Sequence, residues 1–201
     1  LYKEGLDVLL KKWDVKRNIE RDQVYKRLSL KRKEDLLSQI AIETFEAGNY
    51  FFKQKEVEWK INEYIRNLPV ANAEEDALQA DDDAVLKSIV AQHGILTERA
   101  KGIYSFSHLT FHEYFTARKL VTSEKSDILA TRLLPHLTEK RWREVFLLTV
   151  GMIKSADALL LKMKQQIDAL VKNDEEIQAL LMWVERKRKV VNAPDKPAAV
   201  R

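Results

Sequence analysis

The chain has 201 residues, of which 45% are hydrophobic and 33% are charged, with a formal net charge of +4. This composition predicts a globular protein with a buried core, and the absence of cysteine excludes disulfides and cysteine-based metal sites. No apolar run approaches the length of a membrane span, so we expect no membrane as a partner. Glycine and proline are scarce, which favours helices over a sandwich or barrel.

The two ends of the chain are predicted to be accessory segments. Residues 1–28 have the pattern of one or two amphipathic helices rich in lysine and arginine. This stretch is too small to fold alone, so we interpret it as the end of a preceding helical domain and the chain as an excised fragment. Residues 191–201 are rich in proline and alanine and are predicted to be a flexible linker.

Residues 29–122 have the element order of a winged helix-turn-helix domain. Ser29 is placed to cap a first helix, which Gly48 and Asn49 end, and a short aromatic strand follows within 50–53. A second helix covers about 54–67.

A solvated loop at 70–83 leads to a third helix that contains Leu86 and Ile89 and ends before Gly94. Residues 95–99 and 103–107 then form a β-hairpin, the wing of the predicted domain.

The segment YSFSHLTFHEYFTARKL, residues 104–120, joins the second wing strand to the next helix. Aromatic and polar residues alternate at its start, and helical spacing follows. We predict that the helix begins with a capping box, in which Thr110 is the N-cap and Glu113 lies three residues on. His108 falls at the junction of strand and helix. The aromatic residues predicted to pack in the core are Phe106, Phe111, Tyr114 and Phe115.

The rest of the chain is predicted to be helical. Candidate helices lie near 111–122, 126–137, 139–153, 155–172 and 174–190, and short links between amphipathic helices favour a bundle or a superhelical array over residues 123–190. The predicted fold class is therefore mainly α: a winged helix-turn-helix with a small β-hairpin wing, flanked by helical segments.

The 104–120 segment resembles the winged-helix signature of NACHT-type STAND NTPases, which has the form F-x-H-x-[ST]-F-x-E-[YF]-F-A-A. The stretch LYKEGLDVLLKKWD is similar to the helical segment after the nucleotide-binding core of bacterial NACHT proteins, and RWREVFLLTVGMI is similar to the helix after their winged helix. The resemblance covers about residues 1–155. The residues that match the signature are Phe106, His108, Thr110, Phe111, Glu113, Tyr114, Phe115 and Ala117.

The resemblance implies that the chain is the C-terminal regulatory part of a cytoplasmic signal-transducing NTPase. In that family the histidine at the position of His108 contacts the terminal phosphate of bound ADP and stabilises the resting state. The implied partners are the NACHT nucleotide-binding domain of the same chain and, on activation, further copies of the protein. The implied cofactors, ADP or ATP with Mg²⁺, belong to the parent protein. Bacterial members suggest a role in stress signalling or antiphage defence.

Several residues depart from the signature or are interpreted as structural. His112 stands where the family commonly has Gln, and Thr116 where it commonly has Ala, and we expect both at surface or edge positions. The basic clusters at 31–33 and 186–189 are predicted to be solvated helix faces. The tryptophans expected to anchor the core are Trp13, Trp59, Trp142 and Trp183.

The sequence gives no sign of catalysis in this chain alone. It has no glycine-rich phosphate loop and no Ser-His-Asp set, so we expect the fragment not to be an enzyme. His108, His112 and Glu113 resemble part of a zinc-protease motif, but Leu109 occupies the place of its glutamate, and we expect no metal site. The alternative function is a stand-alone winged-helix DNA-binding regulator with a helical dimerisation region, for which the basic clusters would contact nucleic acid.

Overall fold

The computed structural model describes residues 29–67, 86, 87, 89, 90, 94–123, 126–172 and 174–191. The predicted segments 1–28 and 70–83 lie outside these residues, as do Trp13 and all but the first residue of the predicted linker.

The described part of the chain is mainly helical with one small sheet. The strands are β1 (Phe52–Lys53), β2 (Leu96–Ala100) and β3 (Ile103–Phe106), which form an antiparallel sheet in the order β1-β3-β2. This arrangement confirms the predicted fold class. The helices are α1 (Leu30–Glu46), α2 (Gln54–Arg66), α3 (Leu109–Ser123), α4 (Ser126–Leu133), α5 (Arg143–Met152), α6 (Asp157–Lys172) and α7 (Glu175–Val191), and 3₁₀ turns lie at Leu134–His136 and Lys140–Trp142.

Helix α1 begins and ends where the sequence predicts. The Ser29 hydroxyl accepts a hydrogen bond from the Arg32 amide at 3.4 Å. At the other end, Gly48 has a φ of +71°, and the Asn49 amide donates to the Thr44 carbonyl at 2.8 Å. This is the Schellman arrangement, in which a glycine allows the left-handed turn that satisfies the last helical carbonyls.

One apolar core joins α1, α2, the wing and the two residues Leu86 and Ile89, which lie between α2 and the wing in the sequence. Helical spacing places the apolar residues of α1 and α2 on facing stripes, and the sheet covers one end. Its buried members include Leu36, Leu37, Ile40, Val57, Ile61, Ile65, Leu86, Ile89, Ile95, Leu96, Tyr104, Phe106 and Phe115.

The wing is a two-stranded hairpin with one irregularity. Leu96 pairs with Phe106 and Glu98 with Tyr104, but the next pair is Ala100 with Ile103, so Arg99 is an extra residue in β2. The Gln54 amide donates to the Gly102 carbonyl at 2.9 Å, which ties the turn of the wing to the start of α2.

Two of the tryptophans do not anchor the core, contrary to the prediction. Trp142 is fully buried, but Trp59 is 61% exposed and Trp183 is 54% exposed. The reason on α2 is that Val57, Ile61 and Ile65 supply the buried stripe and Trp59 lies off it. The basic cluster at 31–33 also differs from its prediction, because Lys33 is buried in α1.

The described residues divide into two compact units, one within residues 1–125 with 139–154 and the other within 126–138 with 155–201. In the first unit α5 packs against α3, although its residues were predicted to belong to the region 123–190. In the second unit α6 packs against α4 and α7. Among the described helices, none is long and apolar enough to cross a membrane.

Candidate functional site

The junction of β3 and α3 places His108 at the start of a helix. Strand β3 ends at Phe106, and α3 begins at Leu109, so only two residues separate them. The His108 carbonyl accepts from the Phe111 amide at 3.1 Å and from the His112 amide at 3.4 Å, which makes His108 the N-cap residue. The predicted capping box is therefore corrected: Thr110 and Glu113 lie inside the helix, because the chain turns into it earlier than expected.

The His108 side chain is exposed at this helix end. Its ring packs edge-on against Phe111, with ring centroids 5.5 Å apart. The first amides of an α-helix have no intrahelical acceptor and carry a partial positive charge, so they favour an anion at this end. An exposed imidazole beside such amides is suited to contact an oxyanion.

The aromatic residues of the 104–120 segment pack beneath the surface at the junction of β3 and α3. Phe106, Tyr114 and Phe115 are buried, and the Phe106 and Phe115 ring centroids lie 6.2 Å apart. Phe111 is half-buried: it packs against the core, and its ring also contacts the His108 ring edge-on. These contacts fix the first turn of α3 against the wing.

His112 lies in the core, contrary to the expected surface position. Its Nε2 atom is 3.0 Å from the Ala41 carbonyl and 2.9 Å from the Thr44 hydroxyl oxygen, and its ring stacks on Phe106 at 4.6 Å. The Thr44 hydroxyl donates to the Ile40 carbonyl at 2.7 Å, so His112 Nε2–H is the donor to both acceptors on α1. Burial lowers the pKa of His112 to about 4, and the bond to Ala41 acts in the opposite direction.

Thr116 is fully buried as well, which corrects the second expectation of a surface position. Helix α3 packs against α1 and against α5, so it has no single solvent face over 112–117. A helix enclosed on several sides buries polar residues only with partners, and the Thr116 hydroxyl donates to the His112 carbonyl at 2.8 Å. Arg118 forms ion pairs with Glu34 and Asp35 of α1, each at 2.8 Å.

A cavity of about 440 Å³ opens beside the junction. Ser107 and Leu109, the two neighbours of His108, both line it, and so do Phe51 and Arg99. Phe51 is 65% exposed and Leu109 is 52% exposed, so the rim of the cavity is apolar. The Oγ atom of Ser107 is buried and has no hydrogen-bond partner among the described residues.

Arg99 is the residue of this site that sequence reasoning missed. Its Nε donates to the Ser105 hydroxyl at 2.9 Å, and its Nη2 donates to the Ser107 carbonyl at 2.8 Å. The side chain thus reaches from the wing to the peptide directly before His108. Periodicity alone gives no signal for this contact, because it depends on the extra residue in β2.

The two histidines of the motif do not converge on a common point for a metal. His108 lies before the helix and is exposed, whereas His112 is bonded to α1. Within the described residues, no group of three His, Asp or Glu side chains is arranged to hold a metal ion.

Comparison with protein families gives one match. A family model described as a winged helix-turn-helix domain C-terminal to NACHT matches residues 1–120, which is more than half of the chain. The matched range includes β1 to β3, His108 and all the signature residues. The chain matches no curated protein and no solved structure.

Proposed function

The chain belongs to the family of winged helix-turn-helix domains C-terminal to NACHT, and on that premise we propose that it is a nucleotide-dependent regulator of a NACHT domain in the same protein. In the resting state His108 contacts the terminal phosphate of ADP bound to that domain. Loss of this contact on exchange of ADP for ATP with Mg²⁺ favours an open form that self-associates. The setting is cytoplasmic signalling or defence, as the resemblance to bacterial members suggests.

The observation that carries the proposal is the placement of His108. It holds the histidine position of the signature, it is exposed, and it caps a 15-residue helix whose first amides favour an anion. The buried rings of Phe106 and Phe115 fix this end of the helix, so a ligand meets a side chain whose backbone is already ordered.

The apolar rim of the cavity favours the docking of another domain over it. Phe51 and Leu109, which line the cavity beside the junction of β3 and α3, are large apolar side chains that lie more than half exposed. Large apolar side chains that are exposed close together are typical of a surface that another protein segment covers. A nucleotide-binding domain docked here would bring its ligand to His108.

The strength of one contact limits the size of the switch. A hydrogen bond to a charged group contributes about 1.5–3 kcal/mol, and a ligand shifts a two-state equilibrium only by its difference in affinity for the two states. The contact from His108 therefore shifts the equilibrium between the resting and the open form towards the resting form by about ten- to a hundredfold.

The test is the rate of ADP dissociation from the full-length protein. His108→Ala should release ADP about ten to a hundred times faster than wild type. Lys101→Ala is the matched control, since Lys101 is an exposed cation in the turn of the wing, and it should leave the rate unchanged. Equal rates for wild type and His108→Ala, with both proteins folded by circular dichroism, would leave His108 without a sensing role.

A further inference from the structure

We propose that Arg99 provides a second contact to the phosphates of the nucleotide that His108 contacts. This inference rests on the proposed function of His108 and adds to it a residue of the wing. The sensing site would then consist of one imidazole from the start of α3 and one guanidinium from β2.

The first observation is the position of Arg99 in the sheet. It is the extra residue in β2, between the pairs Glu98 with Tyr104 and Ala100 with Ile103. Such β-bulges redirect a side chain out of the regular alternation of a strand and occur often beside functional sites. Here the bulge lets the Arg99 side chain cross β3 and reach the peptide before His108.

The second observation is the state of the guanidinium group. Nε donates to the Ser105 hydroxyl, and Nη2 donates to the Ser107 carbonyl at 2.8 Å and the Phe106 carbonyl at 3.5 Å. Within the described residues, Nη1 makes no hydrogen bond and no carboxylate pairs with Arg99. The neighbouring Glu98 carboxylate instead accepts from the Gly102 amide at 2.8 Å.

The third observation is the position of Arg99 in the wall of the cavity beside the junction of β3 and α3. Arg99 lines the 440 Å³ cavity together with Ser107 and Leu109, the residues on both sides of His108. The buried Ser107 hydroxyl, which has no partner among the described residues, lies in the same wall. The cavity wall thus holds a cation and a hydroxyl, both of which can donate to the oxygens of a phosphate.

The chemistry of arginine suits a diphosphate. A guanidinium stays charged and binds phosphate oxygens through parallel N–H donors in a fixed plane. Because two edges of the Arg99 group are held by the backbone and by Ser105, its free edge is oriented before a ligand arrives. Arg99 would thus add a guanidinium donor for the phosphates of ADP to the imidazole donor of His108.

The experiment is a double-mutant cycle on ADP dissociation from the full-length protein. Arg99→Gln should accelerate release at least about tenfold, which corresponds to the lower limit for a hydrogen bond to a charged group. Arg99→Lys keeps the charge but lacks the parallel N–H donors of the guanidinium. Its rate of ADP release should lie between the rates of Arg99→Gln and wild type. Arg66→Gln is the matched control, because Arg66 is an exposed arginine at the end of α2, and it should match wild type.

The His108→Ala background separates the outcomes. A direct contact predicts that Arg99→Gln still accelerates ADP release in that background. If the effect disappears in the His108→Ala background, Arg99 acts only by holding the peptide before His108, and the inference is overturned. It is also overturned if Arg99→Gln matches Arg66→Gln while His108→Ala accelerates release, a result that leaves the proposed function standing. If neither substitution changes the rate, the proposed function fails and the inference with it.

Discussion

At the residue scale, His112 connects the start of α3 to α1 through a neutral imidazole. Its pKa is lowered by burial to about 4, whereas the pKa of a histidine in the unfolded chain is near its ordinary value of 6.5. Between these values the unfolded state binds more protons, so stability is complete above pH 6.5 and falls as the pH drops towards 4. A shift of this size corresponds to about 3 kcal/mol at most.

His112→Gln should reduce this acid sensitivity. A glutamine amide can still donate to the Ala41 carbonyl but has no proton to gain. We expect the free energy of unfolding, measured by urea titration at pH 7 and pH 5, to fall less in the variant than in wild type. An equal fall in both proteins would show that His112 does not titrate as its burial requires.

Glu113, the next residue, acts in the opposite direction and supplies a control. Burial raises its pKa, and the nearby Glu144 raises it further. Its contribution to stability is complete below the unfolded pKa and is lost as the pH rises through the folded value. Glu113→Gln should therefore increase the loss of stability on acidification, which is the reverse of the effect of His112→Gln.

Single residues were predictable from the sequence where a local pattern fixes them. The alternation before His108 and the aromatic spacing after it placed Phe106 and Phe115 correctly in the core. The burial of His112 and the reach of Arg99 were not predictable, because they depend on contacts with α1 and on a bulge that no short-range period encodes.

At the element scale, α3 is held to the wing by its aromatic residues. Phe115 is fully buried, so Phe115→Ala should cost about 3–5 kcal/mol of stability. Phe111 is only half-buried, and Phe111→Ala should cost clearly less. Urea unfolding of both variants checks this order, and a Phe111→Ala cost equal to or above that of Phe115→Ala would contradict the placement.

Helix α5 is joined to the winged helix by Arg141. The Arg141 guanidinium donates to the Phe45 and Glu46 carbonyls at the C-terminal end of α1 and lies over the ring of Trp142. These bonds satisfy carbonyls that a helix end leaves open, and the cation complements the helix dipole.

Arg141→Gln should therefore destabilise the protein by about 1.5–3 kcal/mol, the range for hydrogen bonds to charged groups. Arg143→Gln is the control, because Arg143 is exposed and forms an ion pair only with the neighbouring Glu144 among the described residues. Its effect should stay within about 0.5 kcal/mol. Thermal unfolding of the two variants distinguishes them. If both substitutions lowered the unfolding midpoint equally, Arg141 would have no special role in joining α5 to α1.

The periodicity of the sequence predicted which helices and strands exist. It did not predict which of them pack together in one unit. The stripes of α1 and α2, the Gly48 end of α1 and the hairpin were all predicted within one or two residues. The membership of α5 in the first unit was missed, since it depends on packing against α3 and on Arg141 bonding to carbonyls 95 and 96 residues away.

At the scale of the whole molecule, the sequence contains no phosphate-binding loop. We therefore expect the isolated 201-residue chain neither to hydrolyse ATP nor to bind it tightly. Calorimetry with ATP and Mg²⁺ checks binding, and phosphate release against a protein-free blank checks turnover. Micromolar binding or measurable turnover would require a nucleotide site within this chain.

The central claim is that His108 contacts the nucleotide in the resting protein. The most direct measurement is an experimental structure of the full-length protein with ADP bound. We expect a ring nitrogen of His108 within about 3.2 Å of an oxygen of the terminal phosphate, the range of a hydrogen bond. A well-ordered ADP whose phosphates are contacted only by the nucleotide-binding domain, with His108 facing solvent, would contradict it.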